Sequence, residues 1–253
     1  MAADQTIMIW PDTQIPEQDN KAVAGLISFV KDYQPSMIVD IGDWMDFSPP
    51  SRWSKGTAAE YDTSLTRDLQ KAHEIQSRVR AVFDGPWKRH LGNHDLRVLD
   101  AVKRYSPWLH GFEGISYEFM LKHDEFSIET LPTFHDVAPG WISTHGHKGV
   151  SINPRPAGTA MGLVKKTGKS VVCGHTHRAA LEPWDTGYNG RTRRLWAMEV
   201  GNVMDMKRAS YLGLGAANWQ QAFGLLHVTG RHVRPEVIYI ENGRFTVEGK
   251  EYR

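Results

Sequence analysis

Cysteine is nearly absent from this chain of 253 residues: Cys173 is the single one, so no disulfide can form within the chain and a reducing compartment is the natural setting. An excess of charge of one sign is missing as well. The 30 basic and 29 acidic residues leave a net charge of +1, which gives no support for a broad electrostatic footprint on nucleic acid or membrane, although a local basic patch stays open. No apolar run approaches the roughly 20 residues of a membrane span. The start of the chain lacks the basic flank and apolar stretch of a signal peptide. A soluble, cytoplasmic protein without a membrane partner is therefore expected. Internal repeats, low-complexity tracts and linker-like stretches are also lacking. The simplest expectation is one domain over residues 1–253, long enough to bury a sizeable core. The sequence does not indicate an oligomeric state.

What is present is an alternation of short apolar runs and amphipathic stretches. Residues 6–10 read as a buried strand stopped by Pro11, residues 17–33 carry Val23, Leu26, Ile27 and Val30 at helical spacing, and residues 37–41 read as the next strand. This βαβ order favours a parallel sheet and an α/β fold. A helix is expected over 62–83, a strand over 87–91, a helix over 96–104, a strand over 140–144, a helix over 158–166 and a strand over 170–173. Residues 47–60 read as a loop. Beyond Arg178 the pattern changes to strands, with runs at 225–228, 233–240 and 244–247 and an Asn242-Gly243 turn between the last two. Cys173 lies inside an apolar strand and reads as a buried, inert thiol.

Five short segments, each following an apolar run, carry metal-ligand chemistry. They are Asp12-Thr13-Gln14, Gly42-Asp43-Trp44-Met45-Asp46, Gly92-Asn93-His94-Asp95, and the pair Thr144-His145-Gly146-His147 with Gly174-His175-Thr176-His177. Carboxylate, amide and imidazole donors suit Mn, Zn or Fe. Asp12, Asp43, Asn93, His145 and His175 each stand just past the carboxyl end of an expected strand, the crevice where open α/β sheets place ligands. Order and spacing together resemble the calcineurin-like metallophosphoesterase superfamily, whose blocks read D-x-H, G-D-x-x-D, G-N-H-D/E, a strand end bearing His, and G-H-x-H. The first block matches in part, with Gln14 where the family usually carries His.

The resemblance implies a four-layer sandwich, two mixed β-sheets flanked by helices. It implies two divalent metal ions, manganese first with zinc, iron or nickel as alternatives, bridged by Asp43. Asp12, Asp43 and His177 would hold one, with Gln14 beside them, and Asp43, Asn93, His145 and His175 the other. Such a pair clamps a phosphate in line with an attacking hydroxide. His94 would stabilise the transition state or protonate the leaving oxygen, oriented by Asp46; taken alone it is a loop histidine. Gln14 either ligates through its amide oxygen or binds nothing. His145 and His147 compete for one ligand role, the loser lining the substrate side.

Arg52, Arg155 and Arg178 suit phosphate oxygens, with a solvated surface as the plainer reading of each. Arg191, Arg193 and Arg194 form a small basic cluster with the same plain reading or a nucleic-acid contact. Trp44 and Trp53 are either base-stacking platforms or packing. His73, His90, His110, His123, His135, His227 and His232 lack ligand context and read as structural. Asp95, in place of Glu, and Phe47-Ser48, in place of Arg-Gly, separate the chain from the protein-phosphatase branch. The opening block and the tryptophan-bearing loop are similar to phage-encoded members, which places the protein in a host cytoplasm. The expected activity is a phosphodiesterase or other phosphoesterase on nucleotide or nucleic-acid substrates, with a DNA exo- or endonuclease, or a weakly catalytic phosphate- and metal-binding protein, as alternatives.

Overall fold

The structure is a computed structural model that describes residues 4–50, 56, 64–208 and 217–253. Two mixed sheets stack face to face. The first contains β1 (Gln5–Trp10), β2 (Met37–Asp40), β3 (Trp87–Arg89) and β4 (Ile128–Thr130), all parallel, and continues through two later antiparallel strands, defined below. Between these strands run α1 (Asn20–Tyr33), α2 (Leu65–Arg80), α3 (Arg97–Tyr105) and the single turn α4 (Tyr117–Met120). The second sheet begins with β5 (His135–Ala138) and β6 (Trp141–Thr144), followed by α5 (Gly158–Thr167), β7 (Ser170–Cys173), β8 (Ala179–Tyr188) and β9 (Arg191–Val200). The chain then returns to the first sheet as β10 (Ala222–Thr229) and β11 (His232–Tyr239), and closes with the small pair β12 (Phe245–Val247) and β13 (Lys250–Tyr252). The strand orders are β11-β10-β1-β2-β3-β4 and β5-β6-β7-β9-β8.

Three apolar layers hold this arrangement. Met8, Trp10, Phe223 and Leu225 face one way from the first sheet, against Leu26, Phe29 and Val30 of α1 and Ala72, Ile75 and Val79 of α2. Their strand neighbours Ile7, Ile9, Leu226 and Val228 face the other way, against Val172, Met198 and Val200 of the second sheet. Val171, Cys173, Leu195 and Ala197 meet Ala160, Leu163 and Val164 of α5 on the outer side. Where both faces are covered, as in β1, β2, β7 and β10, the strands read as largely continuous apolar runs rather than alternating ones. The result is the four-layer helix–sheet–sheet–helix sandwich. Cys173 is fully buried, and burial pushes its thiol well above the usual range. No helix among the described residues is long and apolar enough to cross a membrane.

Helix limits follow local chemistry. Residues 17–33 were expected to be helical, but α1 starts at Asn20 because the Asp19 carboxylate caps it, accepting from Lys21 N at 2.8 Å. The expected helix over 62–83 is shorter. Asp62 and Thr63 lie outside the described residues, Ser64 caps α2, and the helix stops at Arg80. The Arg80 guanidinium there binds the carbonyls of Phe83, Gly85, Phe126 and Ser127 at 2.7–3.1 Å, tying the helix end to two loops. The Asn242-Gly243 turn forms as expected, both residues at positive φ, and is closed by Glu241 and Arg244. The strands it joins do not form a ladder, however. Phe245–Val247 leaves β11 and pairs with Lys250–Tyr252 instead.

His90 and His123 are buried within this framework. His90 lies 2.8 Å from Ser143 Oγ and His123 Nδ1 lies 3.1 Å from Thr130 Oγ1. Burial pushes each from 6.5 down to about 3. Both are neutral in the fold and protonate more readily when unfolded. The stability they contribute is complete above the unfolded value of about 6.5 and is lost as pH falls towards the folded one. The unfolding free energy of wild type relative to His123→Gln should therefore drop by about 2 kcal/mol between pH 7 and pH 5. Denaturant unfolding at the two pH values measures it, and a constant difference would show that His123 is not held neutral.

Candidate metal centre

The carboxyl ends of β1, β2, β3, β6 and β7 point to one side of the sandwich, and the loops leaving them meet there. Buried polar groups fix those loops. Asp40 forms a fully buried ion pair with Arg89 at 2.7 Å and accepts from Gly42 N at 3.0 Å, which sets the turn into Asp43. Asp95 accepts three backbone donors, Asp43 N at 2.8 Å, Gly92 N at 2.9 Å and Met45 N at 3.0 Å, and so binds the second and third motifs together. Glu199 accepts from Thr159 N at 2.9 Å and from Thr176 Oγ1 at 2.8 Å, which joins the His175–His177 loop to the start of α5. Two glycines are required by close approach. A Cβ on Gly92 would stand 1.9 Å from Asp43 Oδ1, and one on Gly174 would stand 2.2 Å from Asp12 Oδ1. Gln14, Asp43, His175 and His177 all hold positive φ, between 50° and 68°. Left-handed backbone at four non-glycine positions is strain of the kind stored at functional sites.

These loops bring together the donors named from the sequence. Asp12, Asp43 and His177 form one set of potential ligand atoms, and Asp43, His145 and His175 a second, each with all its atoms within 4.8 Å of one another. Asp43 belongs to both. Its Oδ2 lies 3.2 Å from His145 Nε2 and 3.1 Å from Gln14 Nε2, and its Oδ1 accepts from His94 N at 2.8 Å. Asn93 Oδ1 lies 3.2 Å from His145 Nε2, which places it with the second set. Asp12 Oδ2 accepts from His175 N at 2.9 Å and lies 3.5 Å from His177 Nε2, whereas Oδ1 is buried with no partner among the described residues. Gln14 faces the cluster, its amide 3.3 Å from His177 Nε2. His94 Nδ1 lies 2.8 Å from Asp46 Oδ1 while Nε2 points towards Asp43 Oδ2 at 3.9 Å, so the His–carboxylate pair is assembled beside the donor sets.

His147 lies against the cluster, its ring tilted 5.2 Å from that of His145 and edge-on 6.1 Å from that of His175, and among the described residues neither of its buried nitrogens is hydrogen-bonded. Arg178 instead reaches Asn153 O at 3.2 Å, Arg155 pairs with Glu182 and Arg194 with Asp185. Arg52 and Trp53 lie outside the described residues. Trp44 is completely buried, its ring 4.2 Å from the Arg89 guanidinium carbon, which excludes base stacking and makes it packing.

The charges fit a missing cation. Burial opposes ionisation of Asp43, but the His145 and His94 rings outweigh it and hold this carboxyl well below its usual range. Burial pushes Asp12 well above that range, against His145, and the neighbouring Asp43 charge adds to the rise. Two acidic groups this close and this deep cannot both ionise without a positive partner. In the metal-free chain His145 supplies part of that charge. Its Nδ1 faces Ile41 O at 3.0 Å and its Nε2 faces Asp43 Oδ2 and Asn93 Oδ1, so both nitrogens can donate. Burial lowers its pKa, but Asp43 more than compensates and brings it up to about 9. Burial lowers His175 to about 4 and His177 to about 3, so both present neutral imidazoles, the form that ligates metal. Oxygen and imidazole donors, an orphaned carboxylate oxygen and a surplus of negative charge suit divalent cations. Sequence reasoning gave no role to Asp95, Glu199 or Arg97. The first two are lone carboxylates whose backbone partners have no sequence signature. Arg97 Nη1 donates to Asp46 O at 2.6 Å and its Nη2 lies 3.1 Å from His94 Nε2.

Two curated proteins are similar to this chain over nearly its whole length. The Gene 54 protein of Mycobacterium phage D29 is 45% identical over 246 residues, covering 96% of each chain. The Gene 54 protein of Mycobacterium phage L5 is 43% identical over 247 residues, covering 96% of this chain and 97% of its own. Among solved structures, the Vps29 of Chaetomium thermophilum superposes with a TM-score of 0.51 at 13% identity, covering 98% of this chain and 96% of that one, which shows a common fold. No family model matches the sequence.

Metal loading should release protons. Below about 9 the metal-free His145 is charged, and ligation requires it neutral, so binding at pH 7 expels a proton and apparent affinity rises with pH up to that value. Calorimetric Mn titrations in buffers of different ionisation enthalpy measure the release. Binding without proton release at pH 7 would show that His145 is not a ligand.

Proposed function

This chain belongs to the family of the mycobacteriophage Gene 54 proteins and has the fold of the calcineurin-like metallophosphoesterases, and on that premise we propose that it is a metal-dependent phosphoesterase, a phosphodiesterase acting on nucleotide or nucleic-acid phosphoesters in the host cytoplasm. One observation carries the reading. The Asp43 carboxylate is common to two donor sets, Asp12–Asp43–His177 and Asp43–His145–His175, the arrangement two neighbouring cations need. Asn93 completes the second set. Divalent ions held there, manganese in the first instance, supply Lewis-acid polarisation of phosphoryl oxygens and lower the pKa of water.

The chain's own groups supply the remainder. Two acidic ligands, Asp12 and Asp43, against two divalent cations leave the cavity positive, which draws in an anionic ester. Neutral His175, His177 and Asn93 preserve that balance. Asp46 accepts from His94 Nδ1 and so fixes the ring with Nε2 towards the cavity, where it stabilises charge or delivers a proton to the departing oxygen. His147, at the rim with both nitrogens free, lines the substrate side. Arg178 is held by Asn153 and is the weaker substrate contact.

A second reading, a phosphate- and metal-binding protein without turnover, is favoured by Gln14. Its amide donates to Asp43 Oδ2 at 3.1 Å, in a position that the usual histidine would use for ligation. An amide is the weaker donor for manganese or zinc. Gln14→His should therefore tighten the first cation position.

Hydrolysis of bis-p-nitrophenyl phosphate by metal-stripped protein, followed while Mn is added and bound metal is counted, tests the main reading. Turnover should rise as the second equivalent binds. His94→Ala should lower turnover by about 10²–10⁴-fold with metal retained. One tightly held metal and no turnover would establish the binding reading in its place. Plasmid nicking, compared with the small diester, then separates a nuclease from a small-molecule esterase.

A further inference from the structure

Arg97 is the first residue of α3, and its side chain turns back over the preceding loop. Nη1 donates to Asp46 O at 2.6 Å and to Asp46 Oδ1 at 3.3 Å, and Nη2 lies 3.1 Å from His94 Nε2. The guanidinium is thus fixed from one side by the residue that orients His94, and it stands beside the ring nitrogen that faces the donor sets.

Arg89 shows what a bracing arginine looks like in this protein. Its side chain has no exposure, it is paired with Asp40 and Gln76, and it is sandwiched against Trp44. Arg97 differs in exposure and in its place beside His94. Its side chain is 20% exposed, and the three contacts named above engage three of its five N–H groups. Asp46 holds the group in place beside His94 Nε2. A preorganised guanidinium with free donors is matched to the oxygens of a phosphate, since little side-chain freedom remains to be lost on binding.

We propose that Arg97 is a substrate-binding residue of this site, presenting its free donors to a non-bridging oxygen of the phosphoester next to His94. This rests on the phosphoesterase reading above. Arg97 also keeps company with the leaving side of the site, because His94 Nε2 is its neighbour.

The test compares Mn-loaded wild type, Arg97→Ala and Arg97→Lys in three measurements: metal bound per chain, KM and kcat for bis-p-nitrophenyl phosphate, and the affinity for inorganic phosphate by calorimetry. Arg97→Ala should bind the same metal while KM and the phosphate dissociation constant rise about ten-fold or more. Arg97→Lys should recover part of the phosphate affinity, since it restores the charge but not the fork. Unchanged KM and phosphate affinity in Arg97→Ala would overturn the proposal. So would a loss confined to kcat, which would mark Arg97 as a brace for Asp46 and His94 alone. A wild type that binds metal and phosphate but never turns over would instead refute the phosphoesterase reading, and the calorimetric comparison would still decide whether Arg97 holds the phosphate.

Discussion

Two carboxylates buried side by side, Asp12 and Asp43, set the terms for the rest of this structure. Taking one unpaired carboxylate out of water costs several kcal/mol even after relaxation, and a second one next to it costs more. Among the described residues nothing fully offsets that: Asp12 Oδ1 has no partner, and the compensating charge of His145 serves both acids. The surrounding architecture keeps the arrangement from relaxing. Asp95 binds three backbone donors of the neighbouring loops, Gly92 and Gly174 leave room for the carboxylate oxygens, and four residues accept left-handed backbone to aim their side chains inward. So costly a cluster is what the proposed cation binding would offset.

The sandwich places the cluster where it is. Parallel strands in both sheets end on the same side, so each motif need only sit one to four residues past a strand to reach the cavity. Short strands of three to six residues suffice, because the helices and the opposing sheet cover them and supply the burial. Trp44 illustrates the economy: within the metal motif, it packs on Arg89 and holds that loop against the helical layer.

Much of this was legible in the sequence. The order of strands and helices could be read from apolar runs, and Ser170–Cys173 was placed to the residue, because a strand covered on both faces leaves a continuous apolar signature. The donors were legible because ligands must be Asp, Asn or His at strand ends. What stayed hidden was whatever depends on a partner distant in sequence. Asp95 and Glu199 act through backbone donors, which no residue type announces. Arg97 looked like an ordinary helix residue until the loop before it was folded. The departure of Phe245–Val247 from β11 was also hidden, since a two-residue turn with the right φ angles does not compel the strands beyond it to stay paired. Gln14 lies between the two classes: the sequence marked it as the departure, and the structure places its amide against Asp43 and His177.

The central claim is that Asp43 stands between two cations. Anomalous diffraction at the manganese edge from crystals grown with Mn tests it most directly. Two peaks, roughly 3.5–4 Å apart with the Asp43 carboxylate between them, would be the expected result. A single peak, or two peaks not bridged by Asp43, would contradict the account.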